Sequence, residues 1–203
     1  MNSFFSKLLG SFGNKTRSSS AALAVPRVID EVSNKMSNKY PEKIAPSPQT
    51  NGAYARKITP KVIVMHDTEG NYEGSIDWTS RVNSPSGKRL YASYHCIVAR
   101  DGRRTVTNRD DNRAYHAGIS SFKDMKSLNH CSIGVAFERS SYTEPLQVAA
   151  IESAIEYIAP LMKKWDISID MVTDHRTIAP NRKKDLNPKE FAKFHEALKK
   201  HFK

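Results

Sequence analysis

Residues 61–66 read Lys-Val-Ile-Val-Met-His, a short β-branched run that closes on a histidine and opens into Asp67-Thr68-Glu69-Gly70. Valine and isoleucine are stiff at χ1, which disfavours them in a helix and suits them to a pleated, buried surface. The run therefore commits the chain to a sheet with a buried strand. The polar, turn-forming residues after it make the chain leave that sheet at His66. A strand end opening into a loop is where a rigid scaffold presents side chains to a cleft.

Before Lys61 the character of the chain is different. Residues 1 to about 57 are rich in Ser, Asn, Lys and Pro, and segments such as NKTRSSS and APSPQTNG are linker-like. They are expected to form a basic, low-complexity extension, with 58–203 as the folded domain. Within the extension, Phe4, Phe5, Leu8, Leu9 and Phe12 recur at near-helical spacing. A short amphipathic helix for membrane or wall contact is one reading, and a floppy tail with a sticky end is the other. Ala22-Leu23-Ala24 has the form of a signal-peptidase site but lacks the continuous apolar stretch that should precede it.

After the first strand, SIDWTSRV suggests a short helix. ASYHCIVA and RRTVTN flank Asp101-Gly102, a pair that accepts the positive φ of a tight turn, so a hairpin is expected. SIGVAFE predicts a strand with Ile133, Val135 and Phe137 on one face. A long helix should follow, capped by Thr143 with Pro145 in its first turn. Its apolar stripe would be Ile151, Ala154, Ile155, Ile158, Leu161, Met162 and Trp165, and Pro160 should kink it or end it early. MVTDH predicts another short strand. The last helix has Asn187 as cap, Pro188 at the first position and Glu190 at the third, with Phe191, Phe194, Leu198 and Phe202 as its buried face. The pattern is α/β in the broad sense, or α+β: a central mixed sheet flanked by helices, without strict βαβ alternation.

With 203 residues, 32 Lys and Arg against 21 Asp and Glu, the chain carries a net charge of +11. Such a surplus favours anionic partners, whether nucleic acid, acidic lipid or cell-wall polymers, and does not choose among them. Cys96 and Cys131 belong to no spaced set, which argues against a disulfide scaffold or a thiolate zinc finger.

Seven histidines are candidates for chemistry. His66 and His175 both close strand-like runs before polar loops, and Asp185 follows ten residues after His175. Two imidazoles and one carboxylate give zinc three ligands and leave its fourth position open for water, as a hydrolytic site requires. Taken singly, each of these residues also has an ordinary structural explanation.

Four blocks change that balance: VIVMHDTEG, SYHCIVARDG, AYHAG with the later SIGVAFE, and HRTIAPNRKKDLNP. In this order, over roughly 60–203, they resemble the type 2 N-acetylmuramoyl-L-alanine amidases. That family includes phage lysis amidases, AmpD-like amidases and peptidoglycan recognition proteins. The resemblance implies one Zn2+ held by His66, His175 and Asp185 on one face of the sheet. It implies catalytic roles for Lys183 and for Tyr94, the latter matching the tyrosine of the phage-lysozyme branch, and a substrate-groove position for His116. The implied substrate is the muramyl peptide of peptidoglycan, and the anionic polymers of the cell envelope become a natural object for the positive charge. A monomer is expected, and no nucleic-acid partner, since no stacking-aromatic or nucleic-acid motif accompanies the lysines.

The resemblance has one departure. The AmpD-like branch carries a catalytic glutamate where this chain has Ala136. Glu138, two residues on and so expected on the same strand face, is a candidate substitute, with a solvated strand-end acid as the plainer reading. His95 is expected to be structural, and His130, His195 and His201 to be solvated. Rival functions are a binding module that recognises peptidoglycan without cutting it, and a bacterial recycling or remodelling amidase in place of a phage lysis enzyme.

Overall fold

A computed structural model describes residues 38–203; the Phe4–Phe12 segment and most of the N-terminal extension lie outside them. In chain order the elements are β1 (Glu42–Ile44), β2 (Val62–Asp67), α1 (Tyr72–Thr79), β3 (Cys96–Val98), β4 (Arg104–Val106) and β5 (Ser121–Phe122). Then come β6 (Met125–Lys126), β7 (Ser132–Phe137), α2 (Val148–Trp165), β8 (Val172–Asp174), α3 (His175–Ile178) and α4 (Pro188–His201). Six strands form one mixed sheet in the order β1-β4-β3-β7-β2-β8, and β5 with β6 forms a separate ribbon. Only β3 and β4 pair antiparallel within the large sheet, as the hairpin at Asp101-Gly102 requires. Gly102 takes φ +89 there, and the turn closes through Gly102 N–H to the Ala99 carbonyl at 3.0 Å.

Strand alternation divides the sheet into two unlike faces. Ile63, Met65, Cys96, Val98, Ile133, Val135 and Phe137 project to one side, where α2 and α4 cover them with Ile151, Ala154, Ile155, Ile158, Phe194 and Leu198. Each such buried side chain contributes roughly 1.5–3 kcal/mol of transfer free energy. On the opposite face Val62 and Val64 meet Ala117, Leu128, Ile178 and Ala179. His66, two residues beyond Val64, emerges on that second face. The first face is thus the core of the domain, and the second is core at one end and a site at the other.

Several local expectations are corrected. Residues 42–44, assigned from sequence to the extension, form the edge strand β1, parallel to β4 and tied to it by the Glu42–Arg104 ion pair at 2.6 Å. The long helix starts at Val148 with Gln147 at the cap position, not at Thr143. Thr143 sits in a preceding turn, its N–H donating to Ser141 Oγ at 3.2 Å. Pro160 does not end α2: the helix runs on to Trp165, with Pro160 on its exposed side. The first short helix begins at Tyr72, capped by Asn71 Oδ1, which accepts from Gly74 N–H at 2.7 Å. The last helix begins as expected, with Asn187 Oδ1 accepting from Glu190 N–H at 2.9 Å. Phe202, however, stands outside its buried face at 46% exposure.

Candidate metal centre

β2 delivers His66 to the rim of the sheet with no exposed surface. β8, its parallel neighbour, ends at Asp174, whose side chain accepts from Thr177 N–H at 2.6 Å and so caps α3. His175 is therefore the first residue of a helical turn, one position past the strand end expected for it, and is held facing His66 with ring centroids 4.4 Å apart. Asp185 returns from the following loop, anchored by Arg176 N–H donating to the Asp185 carbonyl at 2.6 Å. Its Oδ2 lies 3.2 Å from His175 Nδ1 and 3.5 Å from His66 Nδ1. One ligand atom from each of the three residues falls within 4.8 Å of the others, and all three residues are buried.

Burial pushes His66 down to about 4, helped by the nearby His175, so its ring is neutral at ordinary pH. Burial pushes the Asp185 carboxyl up, but the two imidazoles beside it outweigh that and hold it well below the usual carboxylate range. His66 Nδ1 and Asp185 Oδ1 are buried polar atoms with no hydrogen-bond partner. Orphaned buried acceptors of this kind cost on the order of 1–3 kcal/mol each unless something satisfies them. A neutral imidazole and an ionised carboxylate that converge with unused lone pairs suit a cation, and the N,N,O donor set suits zinc. The donor set therefore fits the metal that the resemblance implies.

The other residues singled out from sequence divide. Tyr94 packs with Ile97, Ala99 and Tyr72, its ring 5.3 Å from that of His66. It does not share the face of Cys96 and Val98 as alternation suggested, because the chain bends at His95 before β3 begins. Burial pushes its phenol well above the usual range, reinforced by the Asp185 carboxylate. Lys183 stands at the mouth of the site with Nζ 3.5 Å from Glu69 Oε1, a partly exposed pair. These two residues line a cleft of about 310 Å³ together with Asp67, Arg139, Arg182 and Asp185. His116 is buried behind His66, Nδ1 lying 2.9 Å from His66 Nε2.

Glu138 does not take the place of the missing glutamate. Its two oxygens accept backbone N–H groups from Tyr72 and Arg100, each at 3.1 Å, so it staples the start of α1 to the β3–β4 hairpin. Ala136 is the register partner of His66 in the parallel β2–β7 pair and brings only a methyl group to that position. His95 is buried and fully engaged, Nδ1 accepting from Gly134 N–H and Nε2 donating to the Asn112 carbonyl, both at 2.9 Å. His195 is only partly buried, with Nε2 3.3 Å from the Ile169 carbonyl. Cys96 and Cys131 are free.

Sequence reasoning missed the buried Asp67–Arg139 pair, in which Arg139 Nη1 donates to both carboxylate oxygens at 2.9 and 2.8 Å. This pair fixes the wall of the cleft next to Asp185. It also missed Ser132 and Asn129, which surround His116. The small residues Ser132, Gly134 and Ala136 alternate along one face of β7, and that alternation was the available signal that something presses closely on the strand.

Residues 56–188 match the N-acetylmuramoyl-L-alanine amidase family, and the chain belongs to it. Among curated proteins it is 30% identical over 128 residues to the 1,6-anhydro-N-acetylmuramyl-L-alanine amidase AmpD of Enterobacter cloacae, covering 63% of this chain and 68% of that one. A crystal structure of a selenomethionine AmpD derivative superposes with a TM-score of 0.61 at 22% identity, covering 77% of this chain and 93% of that one. The E. coli amidase AmiD, in complex with anhydro-N-acetylmuramic acid-L-Ala-D-γ-Glu-L-Lys, gives a TM-score of 0.57 at 24% identity, covering 71% and 60%. At these identities the structural likeness is one of fold.

Proposed function

We propose that the chain is a zinc-dependent amidase that hydrolyses the lactyl-amide bond between N-acetylmuramic acid and L-alanine in peptidoglycan. The observation that carries this is the convergence of His66, His175 and Asp185, with His66 Nδ1 and Asp185 Oδ1 unpartnered, on the fold of that amidase family. The names and bound muramyl peptide of the relatives support the substrate class.

Zinc held there would lower the pKa of a bound water toward ~7 and polarise the scissile carbonyl. The chain's own residues would supply the rest. Tyr94 keeps its proton, because burial disfavours the phenolate, so it acts as a hydrogen-bond donor to negative charge forming on the substrate. Lys183 brings a cation to the cleft that borders Asp185, where it favours the charged tetrahedral state over the neutral amide. Arg139, spent on Asp67, keeps the cleft wall rigid and takes no part in the chemistry.

We assign the enzyme to lysis of the intact wall, as in the phage-type branch whose tyrosine and lysine it shares at Tyr94 and Lys183. The net charge of +11 suits the anionic polymers of a cell envelope, and this attraction should weaken with salt. The identity to AmpD favours a second reading, recycling of soluble anhydromuropeptides.

Incubating the full chain with purified sacculi and, separately, with soluble anhydromuropeptide, with and without chelator, tests all of this. New L-alanine amino termini should appear with metal only, and faster on sacculi. Reducing sugar ends in their place would refute the amidase assignment, and cleavage restricted to the soluble fragment would favour recycling. His175→Ala should abolish both zinc retention and cleavage.

A further inference from the structure

We infer that His116 is a positioning residue for the metal, the middle link of a hydrogen-bond chain that fixes which nitrogen of His66 is free to bind it. The inference rests on the metal-site reading above. The chain starts at a backbone carbonyl, which can only accept. Ser132 Oγ lies 2.5 Å from the Leu128 carbonyl and donates its single proton there. Toward its other neighbour, His116 Nε2 at 3.2 Å, the serine oxygen is therefore an acceptor. His116 must then carry its proton on Nε2 and leave Nδ1 bare. That bare Nδ1 lies 2.9 Å from His66 Nε2 and accepts from it. His66 in turn holds its proton on Nε2, and its Nδ1 lone pair points, unsatisfied, at Asp185.

The same short segment orients the second histidine. His175 Nε2 lies 3.4 Å from the carbonyl of Ala117 and 3.5 Å from Arg182 Nη2, with its Nδ1 toward Asp185. The backbone at 116–117 is itself pinned, because Asn129 Oδ1 accepts both N–H groups at 3.0 and 2.8 Å. Arg182 Nη2 donates to the Ala117 carbonyl at 2.6 Å, clamping this segment to the loop that carries Asp185. One turn of chain thus sets the tautomer of His66 and borders the ring of His175 before any ion arrives. Partners of this type raise ligand basicity and fix ring orientation, and their loss typically costs 10–100-fold in metal affinity.

Three variants of the full chain test this, read by zinc affinity in competition with a chromophoric chelator and by the visible spectrum of the cobalt-substituted protein. His116→Leu removes the acceptor and should weaken zinc binding about 10–100-fold, with an altered cobalt spectrum. His116→Asn carries an amide oxygen close to where Nδ1 lies and should recover most of the affinity and the wild-type spectrum. Ser132→Ala removes only the outer anchor and should weaken binding in the same direction by less, which keeps the idea testable if His116→Leu fails to fold. If His116→Leu and Ser132→Ala bind zinc as tightly as wild type, or if the asparagine variant is no better than the leucine, His116 is merely structural. If wild-type protein itself retains no zinc, the metal-site reading fails instead.

Discussion

Gly134 sits at the centre of β7 with its α-carbon against the ring of His116. A Cβ added there would lie 2.4 Å from His116 Cγ, 2.6 Å from Nδ1 and 2.8 Å from Cδ2. Replacing glycine by alanine inside a strand usually stabilises a protein by about 0.4–1 kcal/mol, because the unfolded chain loses freedom. At Gly134 the sign should reverse. The imidazole cannot yield without giving up its bonds to His66 at 2.9 Å and Ser132 at 3.2 Å. Overpacking costs ~1–3 kcal/mol and each buried hydrogen bond lost adds ~1, so Gly134→Ala should destabilise the metal-free protein by about 3–5 kcal/mol. That is a large part of the 5–15 kcal/mol that holds a typical domain together, yet it leaves most molecules folded at low temperature. Urea denaturation of the metal-free protein measures the loss, and chelator competition should show weakened zinc binding in the same variant. Wild-type stability together with wild-type zinc affinity would refute the reasoning, because His116 would then not be wedged between strand and ligand.

Other parts of the site give further expectations. His95 is buried and pushed down to about 4 from 6.5, so the native state refuses a proton that the unfolded chain accepts. The stability this contributes is complete above about 6.5 and is lost as pH falls toward 4, about 3 kcal/mol in all from one residue at ~1.4 kcal/mol per pH unit. Urea midpoints at a series of pH values should show His95→Gln taking up about one proton fewer on unfolding; an unchanged slope would mean that His95 is not held neutral. Arg139→Met removes the guanidinium that opposes the burial of Asp67, already raised to about 7 despite it, so the acid protonates near neutral pH and the cost in stability should grow as pH rises above 7. Adding Asp67→Asn should recover part of that cost, and additive losses would deny the pairing. Lys183→Met should lower kcat about 100–1,000-fold, the range for losing one oxyanion-stabilising group, with zinc content unchanged. Full activity would remove Lys183 from the mechanism.

What could be read from the sequence was what periodicity and turn chemistry carry. β2, the Asp101-Gly102 hairpin, the face of β7 and the Asn187 cap were legible because each depends on residues within one element. The trio of His66, His175 and Asp185 was legible only through the spacing of whole blocks, since nothing in the composition of a strand says which distant strand will lie beside it. β1 was not legible at all: Glu42, Lys43 and Ile44 are all exposed, and the strand is held by backbone pairing and by Arg104, whose role appears only when β4 is alongside. The start of α2 was misread because Thr143 and Pro145 are good cap residues locally. The chain there is governed instead by contacts at long range, among them Leu146 N–H donating to Glu190 at 2.8 Å. The contact of His116 with His66 was not legible, because a histidine before Ala-Gly gives no hint that the chain turns it inward under His66.

Ala136 makes the division of labour in this site unusually plain. Along the site face of β7 the side chains are Ser132, Gly134 and Ala136, paired in register with Val62, Val64 and His66. All three are small, and at two of them the reason is visible: Ser132 and Gly134 make room for the ring of His116 and bond or border it. At 136 the methyl group leaves the strand without a carboxylate beside His66. Apart from Asp67 at the end of β2, which Arg139 engages, the charges at the mouth of the site arrive on loops, Glu69 from the β2–α1 turn and Lys183 from the segment before Asp185, paired at 3.5 Å with Glu69 largely exposed. Of the groups that would hold the metal, the two histidines are fixed by a strand end, a helix cap and a buried hydrogen-bond chain and Asp185 is a buried loop residue, whereas Glu69 and Lys183 ride on solvent-facing turns. Metal retention should accordingly be insensitive to substitution of Glu69 or Lys183 themselves, and turnover sensitive to it, because these two side chains project from the surface while the ligands are buried.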